Sequence, residues 1–150
     1  MSVRVQTDDF DINAEIAALT NGRADIGAVV TFTGLVRDAE GSVSEMTLEH
    51  YPGMTEAALT EIEAEARARW PLQGVTIIHR VGPLAPADQI VLVIAASRHR
   101  QAAFEAAAFL MDYLKTRAAF WKKEASPDGD ASWVDARESD EAAAERWGRT

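Results

Sequence analysis

Cysteine is absent from the 150-residue chain. Its absence excludes disulfides, zinc–thiolate sites, iron–sulfur clusters and a cysteine nucleophile, and it agrees with a reducing cytoplasm. Histidine is sparse: His50, His79 and His99 lie far apart and show no metal-ligand spacing, so no metal site is expected. The chain has no Gly-rich phosphate loop, nucleophile elbow or dinucleotide fingerprint. Long apolar runs are also missing. Ile90 to Ala96 is the longest, well short of the roughly 20 residues a membrane helix needs. Residues 1–10 are polar and acidic, unlike a secretory signal. The chain also lacks a basic excess. Fifteen Lys and Arg against 24 Asp and Glu give a net charge of −9, which argues against non-specific nucleic-acid binding.

What is present describes a soluble globular protein: 47% hydrophobic and 26% charged residues. The length suits one domain over residues 1–150, with a core large enough to stand without staples. The charge is unevenly placed. Arg98, Arg100, Lys115, Arg117, Lys122 and Lys123 face only Glu105 and Asp112 in that window, a local charge of +4, while nine basic against 22 acidic residues leave −13 elsewhere. Such an island suits a small anionic ligand. A solvated helix face accounts for it equally well.

The pattern along the chain predicts mixed α+β structure rather than strict βαβ alternation. Val3 to Gln6 reads as a strand. Asp11 to Leu19 reads as a helix capped by Asp11 and stopped at Asn21-Gly22. Ile26 to Val36 is a β-branched strand in which Gly27 and Gly34 mark bulges or a close backbone approach. After a loop at Asp38 to Ser42, Val43 to Tyr51 alternates, with Met46 and Leu48 on one face and Glu45 and Glu49 on the other. Pro52-Gly53 turns the chain. Thr55 is then expected to cap a helix that carries Leu59, Ile62 and Ala66 to Trp70 and ends at Pro71. Val75 to Val81 and Gln89 to Ser97 are strands that Gly82 to Asp88, with its two prolines, joins as a loop or hairpin. Gln101 to Arg117 is the strongest helix, with Phe104, Leu110 and Leu114 periodic. Short strands at Trp121 to Glu124 and Trp133 to Ala136, around a turn at Ser126 to Ala131, and a helix at Ser139 to Trp147 complete it. By prior, the four tryptophans are core or interface aromatics.

Several residues could carry chemistry. Ser97-Arg98-His99-Arg100 falls between a strand end and a helix start, where free N–H groups and the dipole favour anions; polar decoration is the plain alternative. Lys115 lies near the end of that helix and Lys122 seven residues on. Lysines are common at helix C-termini for dipole reasons alone. Neighbouring cations, however, would disfavour the ammonium form and free an amine for nucleophilic work. Arg37 opens a loop after a strand, a common place for a binding residue. His50 and His79 fall within strands and read first as packing residues.

Longer strings add more. Leu48-Glu49-His50-Tyr51-Pro52-Gly53-Met54-Thr55, Met111 to Arg117 and Phe120-Trp121-Lys122-Lys123-Glu124 resemble the molybdopterin synthase large-subunit family. So do Phe32 to Arg37, His79-Arg80-Val81-Gly82 and Trp133 to Arg137, in order, between about Ile26 and Trp147. The resemblance implies an α/β hammerhead-type fold, with a mixed or antiparallel sheet and flanking helices. It implies a sulfurtransferase that converts cyclic pyranopterin monophosphate to molybdopterin. Two dithiolene sulfurs arrive on the C-terminal thiocarboxylate of a small ubiquitin-like subunit, and no cofactor is permanently bound. The large subunit is expected as a homodimer within a heterotetramer. Catalytic roles fall on Lys115 first and Lys122 second. Substrate binding falls on Leu35, Val36, Arg37, His99, Arg100, Lys115, Lys122, Lys123, Glu124 and, less directly, Arg137. The alternative is a non-catalytic module that binds a ubiquitin-like tail or pterin phosphate. One departure stands out: Ala119 replaces the family's usual proline, which would let the preceding helix run on.

Overall fold

The structure is a computed structural model and describes residues 2–38, 45–118, 120–125, 131–134 and 138–149. The elements run β1 (Val3–Gln6), α1 (Ile12–Thr20), β2 (Ala28–Leu35), β3 (Glu45–His50), α2 (Met54–Arg69), β4 (Leu72–Arg80), β5 (Gly82–Leu84), β6 (Gln89–Ser97), α3 (Arg100–Arg117), β7 (Phe120–Ala125), β8 (Ala131–Val134) and α4 (Glu138–Glu145), closed by a 3-10 turn, Arg146–Arg149. The strands form two four-stranded sheets, ordered β1-β4-β6-β2 and β5-β3-β7-β8. Among the described residues only β1–β4 is parallel; the other ladders are antiparallel. The α+β expectation with mixed and antiparallel sheets holds.

β6 is a nearly continuous apolar run, and β4 is buried from Gly74 to His79, because both faces of each strand are covered. On one face Ile78, Leu92 and Ile94 pack with Phe10 under Ile12, Ile16 and Leu19 of α1. On the other, Val75, Ile77, Val91 and Val93 meet Leu59, Ile62 and Ala66 of α2 and Phe109, Leu110 and Leu114 of α3. Met46, Leu48 and Leu84 of the second sheet join this larger cluster. Each fully buried Leu, Ile or Phe there contributes about 1.5–3 kcal/mol. Trp70, Phe109 and Trp147 meet edge to face. Asp112 accepts the Trp147 indole N–H at 2.6 Å, and Glu105 accepts that of Trp70 at 2.8 Å, which ties the C-terminal turn and α2 to α3.

Asp11 caps α1 through its carboxylate, which accepts the Ala14 N–H at 3.1 Å. Three details depart from the sequence pattern. Thr55 does not cap α2. Gly53, at φ +84, holds the cap position, its N–H donating to the Glu56 carboxylate, while buried Thr55 accepts the Tyr51 N–H through its hydroxyl. The Gly82 to Asp88 connection does join β4 to its antiparallel neighbour β6, but it contains β5, a short strand the pattern did not show, which pairs with β3 of the other sheet. Phe104 is 60% exposed, because at 100° per residue it points about 120° away from Leu110. The substitution at position 119 does not extend the helix: α3 ends at Arg117, and Ala118 is already extended at φ −76, ψ 138.

Candidate active site

Two ends of the β2–β6 ladder carry the candidate residues. The register runs from Ala28 opposite Ser97 to Leu35 opposite Gln89. The second of these ends presents Leu35, Val36 and Arg37. Gly34 is required there, since a Cβ would sit 2.7 Å from Val91 Cγ1, and the register slips between Gly34 and Leu35. Val36 is buried and locked by its backbone. Its N–H donates to the Asp88 carbonyl at 2.9 Å and its carbonyl accepts from Ala87 at 2.7 Å. Residues 85–88 form the turn that receives it. The Asp88 N–H reaches the Ala85 carbonyl at 3.0 Å, with Pro86 second and Ala87 third at φ 77, the arrangement of a type II turn. Glycine usually takes that third position. A left-handed alanine costs about 1–2 kcal/mol and indicates that the surroundings over-determine the turn. Leu35 and Arg37 consequently project to solvent on either side of a fixed residue.

α3 packs on both β6 and β2. It follows β6 after only Arg98 and His99, so it doubles back and runs alongside β2 in the same direction. Ala106 and Ala107 pack in one cluster with Ala95 and Val30, and Leu110 and Leu114 share the main core cluster with Val91 and Val93. Half-buried Lys115 therefore reaches the Arg37 end. The chain then turns at Ala118, and Phe120 starts β7 by stacking on His79 with ring centroids 3.9 Å apart. β7 pairs with β3, placing Lys122 opposite Leu48, Lys123 opposite Thr47 and Glu124 opposite Met46. The turn between α3 and β7 thus keeps Lys115 and the start of the Lys122 strand at one end of the molecule.

The expectation that Arg117 adds to this cation group is not met. Its guanidinium donates to both oxygens of Glu65 at 3.2 Å and lies 3.9 Å over the Tyr113 ring. The two acidic residues of the basic window are engaged elsewhere, Asp112 by Trp147 and Arg146 and Glu105 by Trp70 and Gln101. No ion pair joins Arg37 or Arg100 to an acid among the described residues.

His99 and Arg100 occupy the opposite end. His99 takes the N-cap position in extended backbone with no side-chain capping bond, and the first turn of α3 holds no acid. Its free N–H groups and the two exposed side chains make an anion-facing helix start. The junction is rigid. Gly27 N–H donates to the Ser97 carbonyl at 3.0 Å, and Ser97 Oγ donates to the Pro71 carbonyl at 2.9 Å. A Cβ on Gly27 would stand 2.3 Å from the Arg98 carbonyl oxygen, the close approach the glycine anticipated. From Arg100 to Lys115 is about 22 Å along the helix. One chain therefore brings Arg37, Lys115 and the β7 strand to one end and leaves His99 and Arg100 at the other. Arg137 lies outside the described residues. No cluster of three or more His, Asp or Glu suited to a metal ion occurs among those described.

Asp9, near the Arg37 end, has its carboxyl held below the usual 3.8 by a hydrogen bond from Gln89, then by the Phe10 N–H and the charge of Arg80. Arg80 in turn donates to the carbonyls of Thr7 and Gln89, closing this end of the sheet. The 85–88 turn and the His79–Phe120 stack escaped the sequence reading. Pro86-Ala87-Asp88 was the available signal for the first; nothing local announced the second.

The scaffold is mixed α+β, with the exposed His99 and Arg100 at the start of α3 and the half-buried Lys115 near its end. The chain belongs to the MoaE protein family, whose profile matches residues 5–117. A relative from Mesorhizobium japonicum named molybdopterin synthase catalytic subunit is 64% identical over 147 residues, 97% of this chain and 92% of that one. The protein of that name from Escherichia coli is 64% identical over 140 residues, 92% of each chain. The solved molybdopterin biosynthesis MoaE protein from Burkholderia ambifaria MC40-6 superposes with a TM-score of 0.85 at 57% identity, covering 99% of both chains.

Proposed function

We propose that this chain is the catalytic subunit of a molybdopterin synthase, installing two dithiolene sulfurs in cyclic pyranopterin monophosphate. The observation that carries this reading is the gathering of Arg37, Lys115 and the Lys122 strand at one end of the fold, in a family whose relatives bear that name. Sulfur comes from outside the chain, since it has no cysteine. The donor is the C-terminal thiocarboxylate of a small ubiquitin-like partner. Its sulfur bonds to one pterin side-chain carbon as a carbon–oxygen bond there breaks, the oxygen leaving as water or as an oxygen of the opened cyclic phosphate. Water then breaks the acyl–sulfur bond, the carrier leaves as a carboxylate and the sulfur stays on the substrate. A second carrier repeats the exchange at the adjacent side-chain carbon. No permanently bound cofactor takes part.

Negative charge sits on the thiocarboxylate, develops on its oxygen, and is carried throughout by the substrate phosphate. Lys115 faces the carrier terminus, where its ammonium stabilises the oxyanion and its amine, when free, serves as base or nucleophile. Lys122 is the second catalytic group. Leu35, Val36, Arg37, Lys123 and Glu124 line the substrate side, and Arg137 completes an anion contact.

His99 and Arg100 belong to the same site when a second copy is present. β2 is an edge strand of its sheet, flanked only by β6, and it exposes Val29, Phe32 and Leu35. An exposed apolar edge is a template for pairing. Two β2 strands pairing antiparallel about a twofold axis bring Leu35 of one copy beside Ala28 of the other, and Ala28 neighbours Ser97. The helix start carrying His99 and Arg100 then reaches the Arg37 and Lys115 end of its partner. The working assembly is this homodimer with one small subunit at each end, acting in the cytoplasm. The test is turnover. Wild-type chain plus thiocarboxylated carrier should convert the substrate. Equal conversion with inorganic sulfide in place of the carrier removes the partner from the mechanism.

A further inference from the structure

His79 is 4% exposed, a polar ring at the edge of the main core cluster. It lies in register with Val91 of β6 on one side and Val5 of β1 on the other, at the level of Gly34 in β2. An imidazole is a costly choice for such a place unless its nitrogens are paired. Nδ1 lies 2.8 Å from the Arg80 carbonyl oxygen. That oxygen can only accept, so Nδ1 carries the proton and donates. This bond fixes the ring plane. On the fixed plane lies Phe120, 3.9 Å away centre to centre and inclined by 23°.

Phe120 is the first residue of β7, and its N–H donates to the Ala118 carbonyl at 3.0 Å. It lies opposite His50 of β3. The stack therefore joins the first sheet to the second at the point where the chain leaves α3. Lys115 is five residues before Phe120 and Lys122 two residues after it. Their separation is set by the turn between them, and no proline fixes that turn.

We propose that His79 is a positioning residue for sulfur transfer: its ring, oriented by the Arg80 carbonyl, holds Phe120 and so sets Lys122 relative to Lys115. It touches neither substrate nor carrier. The inference rests on the catalytic reading above. A misplacement of about 1 Å between catalytic groups can lower a rate about 100-fold, whereas substrate binding by Arg37 and Arg100 is untouched.

The experiment compares His79→Leu, His79→Phe and Phe120→Leu with wild type in the carrier-dependent turnover assay. His79→Leu removes the flat ring but keeps the volume, and it should lower kcat about 10- to 100-fold with KM changed less than about 2-fold. His79→Phe keeps a ring on Phe120 and should stay within about 3-fold of wild type. Phe120→Leu breaks the same stack from the other strand and should repeat the kcat loss, which keeps the test open if His79→Leu does not fold. Amide exchange at Phe120 to Lys122 should speed up in both leucine variants. The decisive arm is Ala119→Pro. Ala118, at φ −76 and ψ 138, already has the backbone that proline demands of its predecessor, so the substitution can stiffen the turn directly. Added to His79→Leu, it should restore at least half of the lost rate on a logarithmic scale. The proposal is overturned if wild type turns over and the leucine variants match it, if kcat and KM fall with stability in step, or if proline restores nothing. Failure of wild type itself to turn over overturns the catalytic reading and this inference with it.

Discussion

Replacing Gly27 by alanine should destabilise the protein and disable the His99–Arg100 end together. The added Cβ would lie 2.3 Å from the Arg98 carbonyl oxygen. Carbon and oxygen do not approach closer than about 3.2 Å without a strong clash, so β2 and the β6–α3 junction must separate by about 1 Å. The Gly27 N–H to Ser97 carbonyl bond, 3.0 Å long, is then stretched or lost. Overpacking of this kind costs about 1–3 kcal/mol and the bond about 0.5–1.5 kcal/mol. Together they amount to about 2–4 kcal/mol, or a fall in Tm of about 5–15 °C for a chain of this size. Thermal melting by circular dichroism, with turnover measured below the transition, reads both effects. Gly148→Ala is the control, since nothing lies within 4 Å of its Cβ, and it should melt with wild type. A Gly27→Ala variant that melts within about 2 °C of wild type and keeps full turnover would refute the claim that this approach builds the junction.

Lys115→Ala should lower kcat at least about 100-fold while the protein stays folded and binds its carrier in a pull-down. Lys115→Arg should fail as well, since arginine keeps the charge but does not deprotonate; near-full activity would reduce Lys115 to an electrostatic anchor. The depressed carboxyl of Asp9 contributes stability that is complete above 3.8 and fades as pH falls through its lower folded value. Asp9→Asn should therefore soften the acid limb of a stability–pH curve, a small effect at an exposed site, and an unchanged curve would contradict the assignment.

Much of the fold was legible because period and burial agree. The alternation of β3, the continuous apolar run of β6 and the Asp11 cap are local signals with a single reading. β5 was not legible: three residues containing a proline carry no period, and their pairing with β3 depends on where the second sheet lies. Phe104 misled because spacing alone did not fix the centre of the α3 stripe, which alanines 103, 106 and 107 and Phe109 define. Charge counting found the basic island but not its division. Arg117 and Lys115 are two residues apart in sequence, yet Arg117 turns to α2. His99-Arg100 and Lys115 share a helix, and helix length keeps them about 22 Å apart. Only the three-dimensional register shows that one chain leaves them at opposite ends.

The most direct test of the account mixes two variants, Lys115→Ala and Arg100→Ala, each of which should have little turnover alone at limiting substrate. They are unfolded and refolded together so that dimers form at random, then assayed with thiocarboxylated carrier. If each sulfur-transfer site takes Lys115 from one copy and Arg100 from the other, half the dimers are mixed and each mixed dimer has one intact site. The mixture should recover about a quarter of wild-type turnover. A mixture no more active than its two components would contradict a site assembled from two copies.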